Sequence, residues 1–431
     1  MRTPTSLARV AIAAAALLFG GCTNWLSVDN PTVIDNDALD PVADIDLLAK
    51  SAQQNLASAY GHLIVYSSWF TGETDVSETF PTRNEFGRRA ISIQNGSLDT
   101  DVWFPLSQTV ASSYIVLRAA LADTARNIHY ARANMVLGFA YAFMAEQFCQ
   151  GTVLAGPPLT TQNMLDSALA HFALARSQGD GAGTAAGAAI ADAAWVGTAR
   201  AQLQAGNLAA AINAADSVPA SFVFNLAYMD DLAQRFRLAN RMWFYVRDRG
   251  SIAVAPIWRT GPQLGPGVVQ NADPRVPWMI PVTSGPAAYA PQDAAYSVDR
   301  GIPYAVQQKY PDYSTPVRLA SKLEADYIKA EAQGTAAQQA MIDARRAANG
   351  QPPDTGTSAS PDSVLTRFFT ERGRDFFLEG KRLGDFRRHP ANIIGMPVPA
   401  SAYWKPGFAP VGTDVCFPLP ITETDNNPNF P

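Results

Sequence analysis

A charged and aromatic stretch near the end of the chain decides the fold, and it reads ERGRDFFLEGKRLGDFRR over residues 371–388. Together with the residues before it, this stretch predicts one closing helix over 361–388. Its acidic side chains and clustered arginines are expected to pair with one another where the helix docks. The apolar side chains fall mostly at spacings of three and four, which gives a broad aromatic face for the core; they are Leu365, Phe368, Phe369, Phe376 and Phe377.

Further segments upstream also show apolar residues at helical spacing. The predicted helices cover residues 44–60, 131–150, 162–176, 188–205, 208–216, 318–333 and 336–349. Ala201, Ala205 and Ala211 flank the Gly206-Asn207 turn in the manner of a tetratricopeptide helix pair, because small residues let two antiparallel helices approach closely. Such pairs do not recur every 34 residues or so. We therefore expect a mostly α fold with an irregular helical scaffold.

Two loop-rich insertions interrupt the predicted helices, at about 67–105 and 219–316. The second holds 12 of the 31 prolines, a composition typical of ordered loops and short strands. Sugars and similar nutrients are bound by stacking on aromatic rings, while polar groups bind their hydroxyls. The alternative for each ring is that it pins its loop to the core, because tryptophan is highly buried on average. The predicted ligand-binding residues are Trp69, Phe70, Trp103, Trp258, Trp278 and Tyr304.

The first residues are typical of a bacterial secretion signal. Arg2 and Arg9 accompany an apolar run over residues 10–19, which is too short to cross a bilayer because a spanning helix takes about 20 residues. Residues 1–21 are therefore predicted to be a signal peptide. Phe19-Gly20-Gly21-Cys22 resembles the lipobox of bacterial lipoproteins, so Cys22 is the predicted lipidation site and residues 22–43 form a tether. The alternative is an ordinary secretory signal with a chance cysteine.

Composition and motifs argue against several classes of function. The formal net charge is −5 and becomes −5 − 2 = −7 once cleavage removes two arginines, which disfavours nucleic acid and anionic membrane surfaces as partners. The four histidines do not fall at metal-binding spacing, and neither a phosphate-binding loop nor a nucleophile elbow occurs. The sequence therefore predicts no cofactor and no metal site. Cys149 and Cys416 either form a disulfide, which an oxidising compartment permits, or remain buried thiols.

Five segments, in their order along the chain, resemble the SusD/RagB family of nutrient-binding lipoproteins. Asp375 and Phe376 replace the Glu-Leu pair of the family signature in the closing stretch. The resemblance covers nearly all of the chain after residue 21. It implies a right-handed scaffold of four tetratricopeptide-like helix pairs, over residues 44–431, with an inserted loop-rich subdomain. The five segments are 22–28, 318–332, 341–350, 371–388 and the ending Pro418-Leu419-Pro420-Ile421 with Asn426-Asn427-Pro428-Asn429.

The resemblance also implies a function. Members of this family are outer-membrane lipoproteins that face the cell exterior and work with a SusC-like, TonB-dependent transporter barrel. This chain is thus expected to capture an oligosaccharide, or a peptide, and to hand it to the transporter. A lipid alone would hold it to the membrane, and it would catalyse no reaction. One alternative is a surface-anchored glycan hydrolase, because the sequence does not exclude a pair of carboxylates in a cleft. The other is a tetratricopeptide-type adaptor that binds protein.

Overall fold

A computed structural model of the chain describes residues 40–282, 304–356, 358–425 and 427–430. The predicted signal peptide, the lipidation site Cys22 and most of the predicted tether lie outside the described residues. Within them the fold is mostly α, as the sequence predicts. The α-helices of the described residues are α1 (Ile45–Phe70), α2 (Pro81–Gly87), α3 (Phe104–Arg118), α4 (Ile128–Gln147), α5 (Thr161–Gly181), α6 (Ala185–Gln204) and α7 (Leu208–Asp216), then α8 (Arg235–Leu238), α9 (Arg241–Arg247), α10 (Lys322–Gln333), α11 (Thr335–Ala348), α12 (Pro361–Asp375) and α13 (Arg382–Arg388).

Short strands join in antiparallel pairs on this scaffold. The first pair joins β1 (Thr74–Val76) to β3 (Ile252–Val254), and the second joins β2 (Val223–Leu226) to β6 (Val317–Ser321). The third joins β4 (Trp278–Met279) to β5 (Val306–Gln307). The first two pairs bring residues of the predicted 219–316 insertion against other parts of the chain, and the third joins two segments within that insertion.

Side chains in the sequence mark the starts of several helices. The Asn127 side chain accepts hydrogen bonds from the backbone at the start of α4, and Thr184 does the same for α6. Thr160 and Asn163 form a reciprocal capping box at the start of α5. These contacts satisfy backbone N–H groups that the first helical turn leaves without partners. The predicted starts of these three helices therefore lie within one turn of the observed ones.

Consecutive helices α4 to α7 pack on one another, and α10 packs on α7. Phe172 of α5 lies against Gly138 of α4 and Gly197 of α6. A Cβ atom at Gly138 would lie 2.5 Å from the Phe172 ring, so a larger residue there would force the helices apart. The small residues of this region thus allow the close helix packing that the sequence predicts.

The prediction of one helix over 361–388 is wrong. α12 ends at Asp375 and α13 begins only at Arg382. In the linking segment, Leu378 and Gly380 adopt positive φ angles of 56° and 65°, which an α-helix does not contain. The break lets the backbone turn Glu379 into the core, where its side chain meets cations from elsewhere in the chain.

The predicted pairing of acids with arginines within this stretch is confirmed for Glu371 and Asp385. Asp375 and Glu379 instead pair with cations from other parts of the chain. Arg372 donates from Nε to Asp385 Oδ2 at 2.9 Å, and both residues are buried. Arg388 donates from Nε to Glu331 Oε1 at 2.9 Å. Burial raises the cost of a charge that has no partner, so these pairs make the packing of α10, α12 and α13 specific.

Two other predicted boundaries also change. Residues 317–321 form strand β6 and not the first turn of a helix, because they pair with β2. The first helix runs ten residues beyond the predicted 44–60 and ends at Phe70. Trp69 and Phe70 therefore belong to the last turn of α1, and Trp103 ends a π-helical turn at Leu98–Trp103.

Cys149 and Cys416 form a disulfide, with Cα atoms 5.3 Å apart. The bond joins the segment after α4 to the C-terminal segment across 267 residues of sequence. Of the two alternatives that the sequence left open, the disulfide is the one observed.

None of the described helices combines the length and the apolar character needed to cross a bilayer.

Candidate functional site

All six aromatic residues predicted to bind ligand are buried in the hydrophobic core. The Trp258 indole donates a hydrogen bond to the carbonyl oxygen of Gly72 at 2.9 Å, and the Tyr304 hydroxyl donates to that of Val246 at 3.2 Å. These contacts fit the alternative in which the rings hold loops to the scaffold. Ligand binding by the six stays a prediction. Their exposed fractions are 1% for Trp69, 0% for Phe70, 1% for Trp103, 3% for Trp258, 2% for Trp278 and 3% for Tyr304.

Trp69 also lines a cavity of about 330 Å³, which we call the aromatic cavity. Its walls come from the end of α1, from β1, from the short 3₁₀ turn Pro256–Trp258 and from the segment 395–411, which we call the C-terminal loop. Most of the lining is apolar. The lining residues are Trp69, Gly72, Thr74, Asp75, Val76, Gly87, Ala255, Pro256, Ile257, Gly395, Pro397, Ser401, Ala402, Tyr403, Trp404 and Val411.

Hydrogen bonds to α2 hold the C-terminal loop in place. The Tyr403 hydroxyl donates to Asn84 Oδ1 at 3.2 Å, and Lys405 Nζ donates to the same oxygen at 2.7 Å. Lys405 also donates to the carbonyl oxygen of Glu78. Gly87 makes room for this arrangement, since a Cβ atom there would lie 2.6 Å from the Tyr403 hydroxyl oxygen. The wall of the cavity is therefore fixed to the helical scaffold.

Trp404 places a partly exposed indole ring at the aromatic cavity. Its ring centroid is 5.9 Å from that of Tyr403, and Lys405 Nζ lies 5.0 Å from the indole centroid. Neighbouring rings and a cation restrict the motion of the indole. A fixed, partly exposed aromatic face can stack on the C–H face of a sugar ring.

The sequence reasoning missed Tyr403 and Trp404, although a signal was present. Both lie between Pro399 and Pro406 in a loop rich in proline, which is the composition that marked the 219–316 insertion. This shorter loop lies outside the two insertions that supplied the predicted binding aromatics.

Asp75 supplies a partly buried carboxylate to the cavity wall. Desolvation raises the pKa of this carboxyl to about 6, and the positive charges of Arg259 and Lys405 oppose that rise. Desolvation also lowers the pKa of the Lys405 ammonium to about 7, against the opposing charges of Glu78 and Asp75. The polar part of the cavity thus responds to pH near neutrality, and the carboxylate can accept hydrogen bonds from ligand hydroxyls.

Acidic side chains are few in the lining of the aromatic cavity. Asp75 is the only acidic residue among its described lining residues, whereas glycosidases generally use a pair of carboxyl groups. In the part of the chain that the structure describes, no three His, Cys, Asp or Glu side chains come together as they would around a metal ion.

Comparison with known proteins identifies the architecture. No protein-family model and no curated protein matches the sequence. Among solved structures, a SusD-like carbohydrate-binding protein from Bacteroides fragilis superposes with a TM-score of 0.62 at 13% identity, over 90% of this chain and 99% of the other. A SusD superfamily protein from Parabacteroides distasonis gives 0.61 at 14% identity, over 91% and 99%. A chitin-binding protein gives 0.53 at 12% identity, over 85% and 93%.

These similarities extend over nearly the full length of each compared structure, so they concern the whole architecture and not one helical motif. The chain therefore has the fold of the SusD-like proteins.

Proposed function

We propose that this protein is a lipid-anchored, cell-surface carbohydrate-binding protein that delivers its ligand to a TonB-dependent transporter. One observation carries the proposal: a chain with the SusD-like fold presents a mostly apolar cavity with a partly exposed tryptophan and a carboxylate on its wall. Two of the similar structures are themselves a carbohydrate-binding and a chitin-binding protein. The ligand is an oligosaccharide, and the protein binds it without changing it.

The aromatic cavity supplies both kinds of contact that a sugar needs. Trp404 offers partly exposed ring surface for the C–H faces of the sugar, beside the buried Tyr403 ring. Asp75 and Ser401 offer polar atoms for its hydroxyls. At about 330 Å³, the cavity is near the lower end of the usual range for ligand pockets. A short segment of a longer glycan fits this volume, and the rest of the glycan would lie on the surrounding surface.

Replacement of Trp404 by alanine tests the binding site. A glycan array that includes chitooligosaccharides would first identify a bound glycan, and calorimetry would then compare the variants. Trp404→Ala is expected to weaken binding about tenfold or more, because a central aromatic contact commonly contributes at least ~1.4 kcal/mol. Phe104→Ala is the matched control, since Phe104 is 58% exposed and lies outside the cavity lining. Equal affinity of the wild type and Trp404→Ala would place the sugar elsewhere.

Replacement of Cys22 tests the anchor and the partner. In a host without the transporter, the wild-type protein is expected in the membrane fraction and Cys22→Ser in the soluble fraction, because the lipid would then be the only attachment. A pull-down of the wild type from detergent-solubilised native membranes is expected to recover a transporter barrel. Membrane association of Cys22→Ser would contradict the lipid anchor, and recovery of no barrel would contradict delivery to a transporter.

A further inference from the structure

A second cavity, of about 410 Å³, lies on another part of the molecule, and we call it the basic cavity. It is bounded by β2, the segment after β5, β6, α11 and the end of α12. It shares no lining residue with the aromatic cavity. Its charged lining residues are Arg275, Lys309, Arg318, Arg345, Asp375 and Glu379.

Positive charge exceeds negative charge in this cavity. The lining has four cations and two carboxylates, which leaves 4 − 2 = +2. Charged residues just outside the lining do not cancel this positive charge. Arg275 pairs with Asp273 and Glu371, but these two carboxylates also pair with Arg374 and Arg346, so two negative and two positive charges are added. A surplus of two charges is notable in a chain whose formal net charge is −5. The basic cavity therefore favours an anionic occupant.

Three arginines of the cavity use the same edge of the guanidinium group for carboxylates. Arg345 donates from Nε and Nη2 to Asp375 at 2.9 and 2.8 Å, and Arg318 donates from the same atoms to Glu379 at 3.0 and 2.7 Å. Arg275 donates from Nε and Nη2 to Asp273 at 2.9 and 2.7 Å. These contacts fix the planes of the three groups.

In each of these three arginines, the remaining guanidinium nitrogen, Nη1, makes no hydrogen bond to any described residue. In Arg275 the side chain is buried, with 9% of the residue exposed, and its Nη1 atom is buried without a hydrogen-bond acceptor. The shortest contact between Arg275 and Asp375 joins this atom to Asp375 Oδ2, at 3.5 Å. A buried donor without an acceptor is costly, so an acceptor in the cavity would stabilise this arrangement.

We propose that the basic cavity binds the oxyanion group, carboxylate or phosphate, of a small ligand. Fixed guanidinium groups are well suited to the planar or tetrahedral oxygens of these anions. The partly enclosed position limits screening by solvent and salt. The site is separate from the aromatic cavity, so its failure would leave the proposed sugar site intact.

Calorimetry on the purified full chain tests the proposal, with sodium glucuronate and sodium phosphate as probes and glucose as the uncharged comparison. At least one anion is expected to bind with a stoichiometry of one, and glucose is expected not to displace it. The preferred probe distinguishes a carboxylate ligand from a phosphate ligand. Absence of binding by both anions would overturn the proposal.

Two adjacent arginines of α11 provide a matched pair of variants. Arg345→Gln removes a cation from the cavity and is expected to weaken anion binding about tenfold or more, since hydrogen bonds to charged groups contribute strongly. Arg346→Gln is the control, because Arg346 also pairs with a carboxylate and has a similarly exposed side chain, 19% against 23%, but does not line the cavity. Equal weakening by both variants, or by neither, would overturn the site.

Replacement of Asn225 tests the basic cavity without removing any residue of its ion pairs. Asn225 is exposed at the cavity, and no described residue donates to or accepts from its side chain. Asn225→Asp adds a negative charge of the same shape and is expected to weaken anion binding several-fold, and more so at low salt. Unchanged affinity in this variant would contradict the assignment even if Arg345→Gln failed to fold.

Discussion

At the scale of single residues, Asp75 links the aromatic cavity to the stability of the protein. Burial raises the pKa of this carboxyl from its ordinary 3.8 to about 6. As the pH rises from about 4 to about 6, the unfolded chain releases this proton while the folded chain retains it. Stability is therefore lost across that window, and the loss is complete above about pH 6.

Asp75→Asn is expected to remove this dependence. The variant should be more stable than the wild type by about 1–2 kcal/mol at neutral pH and of similar stability near pH 4, because the amide carries no charge to bury. Urea unfolding at the two pH values measures the difference. Asp326→Asn is the control, since the Asp326 side chain is 44% exposed and pairs with Lys322 at the surface. A stability difference that is the same at both pH values would argue against titration of Asp75.

Residue type alone did not distinguish buried aromatic rings from partly exposed ones. The loop composition around Trp258 and Trp278 was recognised correctly, but both side chains are buried. A tryptophan that pins a loop and one that faces a ligand have the same local sequence, because the difference lies in which distant segments cover the ring. Trp404 is a candidate for ligand binding because the fold places the C-terminal loop beside α1 and β1, and the local sequence does not contain that contact.

At the scale of elements, periodicity predicted the helices of the scaffold well and their interruptions poorly. α7 occupies the predicted residues 208–216, and α5 begins one residue before its predicted start. The break between α12 and α13 was missed because the helical spacing of apolar residues continues through it. That break depends on Glu379, whose carboxylate accepts hydrogen bonds from Lys309 and Arg318, and a one-dimensional pattern does not contain such distant contacts.

Gly72 joins two elements of the aromatic cavity and limits what its backbone tolerates. It follows α1 with a φ of +68°, and a Cβ atom there would overlap the carbonyl oxygen of Gly395 in the C-terminal loop. Gly72→Ala is expected to destabilise the protein by about 2–4 kcal/mol, from the left-handed conformation and from the overlap with backbone. It should also weaken glycan binding, because the wall of the cavity must shift.

Urea unfolding and calorimetry check this expectation for Gly72→Ala. Gly96→Ala is the matched control, since a Cβ at Gly96 meets no atom within 4 Å and its φ lies outside the positive range. A Gly72→Ala protein with the stability and affinity of Gly96→Ala would show that the C-terminal loop moves freely from α1.

At the scale of the whole molecule, the order of the five resembling segments predicted the architecture although sequence identity to the similar structures is low. The reason is physical: small residues between helices, aromatic faces and buried ion pairs specify which elements pack together, and many sequences satisfy those requirements. Gly138 and Gly197 beside Phe172, and Arg372 beside Asp385, are contacts of this kind. Ligand identity is not specified by the scaffold, so it was not predictable from these segments.

The Cys149–Cys416 disulfide acts on this same scale, because it closes a loop that contains most of the folded chain. Backbone hydrogen bonds already join the two segments: Cys149 N–H donates to the Phe417 carbonyl at 2.9 Å, and Phe417 N–H donates to that of Gln147 at 2.7 Å. The fully buried Phe417 ring packs edge-on against Phe148. The double variant Cys149→Ser, Cys416→Ser should therefore fold.

That variant is expected to lose about 2–5 kcal/mol of stability, since the bond restricts the unfolded chain over a long loop. Urea unfolding with and without a reductant measures the loss and supplies its own control. The reductant should lower the midpoint of the wild type to that of the double variant, because reduction and substitution remove the same constraint. The midpoint of the variant should not respond, since it has no bond to reduce. Equal midpoints for both proteins in the absence of reductant would mean that native packing alone holds the C-terminal segment.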